Sequence, residues 1–261
     1  MTEYRLVAAL GSSFAAGPGI EPVAEAAAMR SEKNYAHQLA HRLGARLVDL
    51  TVSGATTANV IDIPQQMADG RSYPPQLDGV PSDADAVTIT AGGNDLQFAG
   101  AMLYAAWRHA EPDSPLVPML GQMFPSGIQV PTDDAIEQAT AGLARVIEKA
   151  RRVAPAARVV LVDYLTVLDD DSLSWTPFTE EEVATFLVIQ DAIGKVFRDA
   201  AEQTATDLVL ASQLSLDHAL GSADPWVQPF IQDMMRTAGS FHPNEAGMTA
   251  IAVELERLLV P

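Results

Sequence analysis

The chain of 261 residues contains no cysteine, which removes disulfides, thiol nucleophiles and thiolate metal sites from consideration. It is poor in basic residues, with 16 Lys and Arg against 34 Asp and Glu and a formal net charge of −18, and the acids are spread along the chain. Nucleic acid and anionic membrane surfaces both need clustered Lys and Arg, so neither is an expected partner. No apolar run approaches the length that spans a bilayer, so stable membrane insertion is not expected. The first residues, Met-Thr-Glu-Tyr, hold no basic start leading into an apolar stretch. As written, the chain is therefore expected in the cytoplasm; a secreted parent whose leader was exchanged for Met1 is the other arrangement.

What is present is a chain long enough to bury a substantial core, read as one domain over residues 1–261. Leu6 to Leu10 is a short continuous apolar run, the pattern of a strand buried on both faces of a parallel sheet. Similar strands are expected at 46–52, 86–91, 159–163 and 207–211. Helices are expected at 34–44, from Leu96 to about Ala110, at 133–153, at 180–203 and from near Asn244. Residues 64–85 read as connecting loop with at most a short helix. Strands alternating with helices predict a parallel sheet of about five strands with helices on both faces, a three-layer α/β/α architecture.

Polar turns containing glycine close the first three strands. Gly11-Ser12-Ser13-Phe14 follows the first, Ser53-Gly54-Ala55-Thr56-Thr57 the second and Gly92-Gly93-Asn94-Asp95 the third, while Phe241-His242-Pro243-Asn244 stands before the last helix. Acyl transfer needs a hydroxyl nucleophile, a base for its proton and donors aimed at the developing oxyanion. Ser13 and His242 fit the first two roles. The backbone N–H groups of Ser13 and Gly54 and the side-chain amide of Asn94 fit the third. The glycines match neither phosphate-loop fingerprint, and no lysine follows them. His37 and His41 have the spacing of two ligands on one helical face, but no third ligand accompanies them, so no metal is expected.

Taken in order, the four blocks resemble the SGNH hydrolases, the GDSL-type esterase and lipase family, along nearly the whole chain. Arg30-Ser31 with Asn34-Tyr35, and Pro225-Trp226-Val227, are similar to its bacterial lipase-like branch. The resemblance implies a flavodoxin-like sheet, a serine ester hydrolase working through an acyl-enzyme on Ser13 with His242 as base, and no cofactor. The alternatives are a carbohydrate deacetylase, or a decayed binding protein on the same fold. Ser12 stands where the family has an aspartate in the first block. The family's acid, three residues before the histidine, is replaced by Gly239. Some members of the lipase-like branch have a backbone carbonyl near this position holding the histidine Nδ1–H, so the resemblance implies a Ser13–His242 dyad with the carbonyl of Gly239 or Ser240 orienting the imidazole, and Asp233 or Asp224 as the alternative acids.

Two apolar, proline-broken segments flank these blocks. Met102, Trp107, Met123, Phe124, Trp226, Phe230 and Met234 are the candidates to line a substrate pocket. The expected partner is a small-molecule or lipid-like ester of short-to-medium acyl chain, with anionic substrates disfavoured by the net charge.

Overall fold

The computed structural model describes residues 4–67 and 69–260. Five strands, β1 (Leu6–Gly11), β2 (Arg46–Asp49), β3 (Ala86–Thr90), β4 (Arg158–Val162) and β5 (Asp207–Val209), form one sheet in the order β2-β1-β3-β4-β5. Every pairing is parallel, with Gly11 opposite Thr90 at the carboxyl end of the central pair. All residues of β1 and β3 are buried, which is why these strands read as unbroken apolar runs.

Helices α1 (Tyr35–Leu43), α2 (Thr57–Ile61), α3 (Phe98–Ala110), α4 (Asp133–Val153), α5 (Glu180–Thr204) and α6 (Glu245–Leu259) cover the sheet. α1 packs with α6, α4 packs with both α2 and α5, and α3 packs against α5, giving the three layers expected from the sequence. Local chemistry sets their ends. Thr132 caps α4 by accepting the Ala135 N–H, and Asp133 and Asp134 open it while Arg151 and Arg152 close it, in agreement with the helix dipole. Thr179 and Glu182 form a reciprocal capping box at the start of α5, and Asn244 caps α6 through the Gly247 N–H.

Three local differences from the sequence reading have physical causes. Regular β2 ends at Asp49, whose carboxylate takes the Thr51 N–H and hydroxyl and the Asn34 amide, although the Leu50 and Val52 N–H groups still donate to Ala9 O and Gly11 O of β1. β5 stops at Val209, because the Asp163 carboxylate captures the Ser212 N–H and hydroxyl and turns the chain into a short helix, Ala211–Leu214. The 64–85 segment is more than loop: Gln65–Gln66 pairs with Ser72–Tyr73, and a 3-10 turn at Gln76–Gly79 follows. Additional short elements are a hairpin pairing Val23–Glu25 with Arg30–Ser31 and a helix at Leu116–Gly121.

The strand order reverses between β1 and β3, the connections after them leaving in opposite directions. In an open parallel sheet such a switch point leaves a crevice beyond the carboxyl ends of the strands, and that is where ligands gather. Ser12-Ser13 follows β1 there, and Gly92-Gly93-Asn94 follows β3.

Candidate active site

Gly11 is needed where β1 turns. Its φ is +144°, and a Cβ at that position would fall 2.2 Å from the Thr90 carbonyl oxygen. The next residue stays on the sheet, the Ser12 N–H donating to Thr90 O at 2.9 Å. Ser13 then opens a single helical turn, Ser13–Ala16, that ends on Gly17. Both neighbours of Ser13 are clamped to one side chain: the Ser12 hydroxyl lies 2.8 Å from the Tyr164 hydroxyl, and Phe14 stacks on the Tyr164 ring at 4.0 Å. Burial pushes the Tyr164 phenol far above its usual range, so it remains a neutral hydrogen-bonding partner. Beneath the turn, the buried Gln76 accepts the Gly11 N–H at 2.8 Å and donates to the Gly11 carbonyl at 2.9 Å.

His242 reaches this turn from the far end of the chain. Its loop is strapped on both sides: the Gln228 N–H donates to His242 O, the Phe241 N–H donates to Gln228 O, and the Gln228 amide donates to Pro18 O. The Asn244 amide donates to Pro225 O, so the Pro225-Trp226-Val227 block is the other side of the strap. Phe241, at φ +61°, adopts the left-handed conformation that costs a non-glycine residue about 1–2 kcal/mol. Its ring is fully buried between Phe178 and Phe230, which offsets that cost.

The result is a short chain of hydrogen bonds. His242 Nε2 lies 2.8 Å from Ser13 Oγ, and His242 Nδ1 lies 2.8 Å from the Ser240 carbonyl oxygen. A carbonyl only accepts, so Nδ1 carries the proton and Nε2 is left to accept from the serine. Burial, opposed by the Ser240 carbonyl, pulls the imidazole pKa down to about 4. The ring is therefore neutral and able to take a proton at pH 7. Gly239 contributes differently, its carbonyl accepting the His242 N–H. Asp233 caps its own turn by accepting the Met235 N–H, and the Asp224 carboxylate faces His218 at 3.6 Å, so neither bonds to the His242 ring.

The second and third blocks are tied together opposite Ser13. Asp95, its carboxyl pKa raised by burial, accepts the Thr57 hydroxyl at 2.6 Å and the Thr57 N–H at 3.0 Å. Asn94 spends one amide hydrogen on the Ala55 carbonyl at 2.9 Å, leaving the second free. Among the described residues, the N–H groups of Ser13 and Gly54 donate to no acceptor. Ser13, Gly54, Asn94 and His242 line one cavity of about 410 Å³, together with Met29, Leu103, Met123 and Phe124.

Of the residues singled out for a pocket, Met123 and Phe124 line this cavity. Met102 and Trp107 do not; both are buried in the core, Met102 because it lies off the face of α3 that carries the cavity-lining Ala99, Gly100 and Leu103, and Trp107 because it shares their side but stands one turn beyond Leu103. Trp107 Nε1 instead donates to Thr237 Oγ1 at 2.9 Å, bracing the turn that leads to Ser240. Phe230 packs edge-on against Trp107, and Trp226 stacks on His218 at 3.7 Å. Met234 lines an adjoining cleft. Gln76 and Tyr164 carry the nucleophile turn and were not singled out by sequence, since their role depends on partners 65 and 152 residues away.

Among the described residues there is no group of three or more His, Asp or Glu able to hold a metal, and no helix is long and apolar enough to cross a membrane. His37 Nδ1 contacts Asn34 at 3.1 Å and Asp49 at 3.4 Å, within the α1 packing.

Comparison with known proteins agrees with the geometry. The GDSL-like Lipase/Acylhydrolase family model matches residues 9–250. Lipase 2 of Streptomyces coelicolor is 31% identical over 256 residues, covering 94% of this chain and 82% of that protein. Two solved structures share the fold at a TM-score of 0.70: the extracellular lipase of Streptomyces rimosus (23% identity; 96% of this chain, 99% of that one) and phospholipase A1 of Streptomyces albidoflavus (20%; 97% and 99%). With the family model spanning nearly the full length and its serine and histidine blocks meeting in one cavity, the chain belongs to the GDSL-like lipase and acylhydrolase family and is a serine-type carboxylic ester hydrolase.

Proposed function

We propose that Ser13 and His242 work as a two-residue catalytic unit, with the Ser240 carbonyl in the place of the acid, on neutral esters of short-to-medium acyl chain. The observation that carries this reading is the pair of 2.8 Å contacts through the His242 ring, to Ser13 Oγ on one side and Ser240 O on the other. As Ser13 Oγ attacks the ester carbonyl carbon, its proton passes to His242 Nε2. The carbonyl electron pair moves onto oxygen, where the N–H groups of Ser13 and Gly54 and the Asn94 amide stabilise it. Collapse breaks the bond to the alcohol oxygen, which leaves with the proton from His242. Water, deprotonated by the same imidazole, then releases the acid from Ser13.

Without a carboxylate, the imidazolium formed in these steps is stabilised by one carbonyl dipole. The gain is in the resting state, where the low pKa keeps the base free. The apolar wall of Leu103, Met123 and Phe124 supports an alkyl acyl group, and the two methionines of the cavity, 29 and 123, suit a series of chain lengths more than one fixed shape. The names of its relatives, two lipases and a phospholipase, support a lipid-like ester.

A kcat/KM series over p-nitrophenyl acetate, butyrate, hexanoate and laurate, beside acetylated xylan, tests the reading. The expected profile peaks at butyrate or hexanoate and vanishes in Ser13→Ala. Faster turnover of the sugar ester than of butyrate would point to a deacetylase.

A further inference from the structure

A second cleft, of about 440 Å³, adjoins the catalytic cavity, and Pro18, Met29 and Ala238 line both. Its walls come from two loops: Ile20, Val23 and Met29 on the nucleophile side, and Ile231, Met234 and Met235 on the segment leading to His242. Val23, Met29, Met234 and Met235 are all solvent-exposed, Met235 at 91%. Four exposed large apolar side chains gathered around one cleft are more than the scattered ones every surface carries. Arg30 also lines it, its guanidinium committed to the Thr51 carbonyl, Glu25 and Asp49, while Glu21 and Arg236, one charge of each sign, lie exposed in the lining.

We infer that this cleft is the subsite for the alcohol side of the ester and takes an extended alkyl chain there; the inference rests on the Ser13–His242 reading above. The direction follows from the chemistry. The bond that breaks joins the carbonyl carbon, held at Ser13 Oγ, to the alcohol oxygen, and that oxygen leaves with its bonding electron pair and the proton from His242 Nε2. It must therefore lie on the His242 side of the carbonyl. The oxyanion donors Gly54 and Asn94, with Leu103, Met123 and Phe124, occupy the other lobe, which is left for the acyl chain. Residues of the chain from Ile231 to Gly239 form a wall of the second cleft, and that chain leads into Ser240, whose carbonyl orients His242, so the leaving group departs along it. Substrates with apolar chains on both sides of the ester, such as long-alkyl esters of fatty acids, would fill both lobes at once.

The test is a pair of series followed by titration of released acid: alkyl butyrates from ethyl to hexyl, varying the alcohol alone, and ethyl esters from acetate to hexanoate, varying the acyl group alone. With the wild-type enzyme, kcat/KM is expected to rise about two- to threefold for each methylene added to the alcohol, as partial burial of a methylene implies. Met234→Glu should bring the hexyl-to-ethyl ratio close to one while the slope of the acyl series survives, and Val23→Glu, on the opposite wall, should do the same. Both positions are exposed, so neither change disturbs the core. A flat alcohol series beside a steep acyl series would overturn the subsite and leave the ester-hydrolase reading standing. So would Met234→Glu and Val23→Glu flattening the acyl series in place of the alcohol series. Failure of the wild type to hydrolyse any of these esters would overturn both.

Discussion

The Ser240 carbonyl and the His242 ring, two residues apart on one loop, are joined by a 2.8 Å hydrogen bond that fixes which imidazole nitrogen faces Ser13. A carboxylate in that position would raise the histidine pKa by several contacts and a full charge. A carbonyl supplies only a dipole, and burial wins, leaving the pKa at about 4.

That balance sets the acid limb of the pH profile. Neutral imidazole is the active base, so kcat/KM is lost as the pH falls through the histidine pKa. A plot of log kcat/KM for a neutral ester should stay level from neutral pH down to about 5 and then drop with unit slope, with its midpoint near 4. A midpoint near 6.5 would mean that the ring is not desolvated in the working enzyme.

Asp233 and Asp224 are engaged with Met235 and His218, and the Nδ1 of His242 is already bonded. Asp233→Asn and Asp224→Asn should each leave kcat/KM within about tenfold of wild type, whereas loss of a working triad aspartate costs on the order of 10⁴. A fall of three orders in either variant would establish a triad whose acid swings in during turnover.

Asn94 holds the Ala55 carbonyl with one amide hydrogen and offers the other to the cavity. Asn94→Ala should lower kcat by about two to three orders of magnitude with little change in KM, because an oxyanion donor is used mainly in the transition state. A change confined to KM would make Asn94 a substrate-binding residue.

Gln76 satisfies both backbone groups of the buried Gly11. Gln76→Leu strands a donor and an acceptor, each worth about 1–3 kcal/mol when left unpaired, so urea unfolding should show a loss on the order of 2–4 kcal/mol. Because the turn that aims Ser13 is loosened, the fraction still folded should show a lower kcat with KM retained. An unchanged urea midpoint would show that water replaces the side chain at no cost.

The strands, the long helices and the residues of the Ser13–His242 pair were legible in the sequence for definable reasons. A strand buried on both faces writes itself as Val7-Ala8-Ala9-Leu10, and a turn at a strand end writes itself in glycine and hydroxyl residues, so Ser13, Gly54 and Asn94 stood out locally. A carbonyl partner for His242 Nδ1 was implied by the family resemblance once Gly239 was seen to have no carboxylate; the choice between Gly239 and Ser240 needed the left-handed turn at Phe241. Partners distant in sequence left no local mark. Gln76 sits in a stretch whose prolines and aspartates read as loop, and its importance comes only from the approach of β1. The pocket residues show the same limit, since an apolar residue on α3 is written alike whether it faces the cavity, as Leu103 does, or the core, as Met102 does.

The central claim, that Ser13 and His242 act as one unit, is tested most directly by measuring kcat for Ser13→Ala, His242→Ala and the double variant on p-nitrophenyl butyrate. Both residues lie on turns beyond the sheet, so the variants should remain folded. Each single change should remove most of the activity, and the double variant should be hardly worse than either, because removing one member already disables the other. Losses that multiply in the double variant would contradict the unit and mean that the serine and the histidine contribute independently.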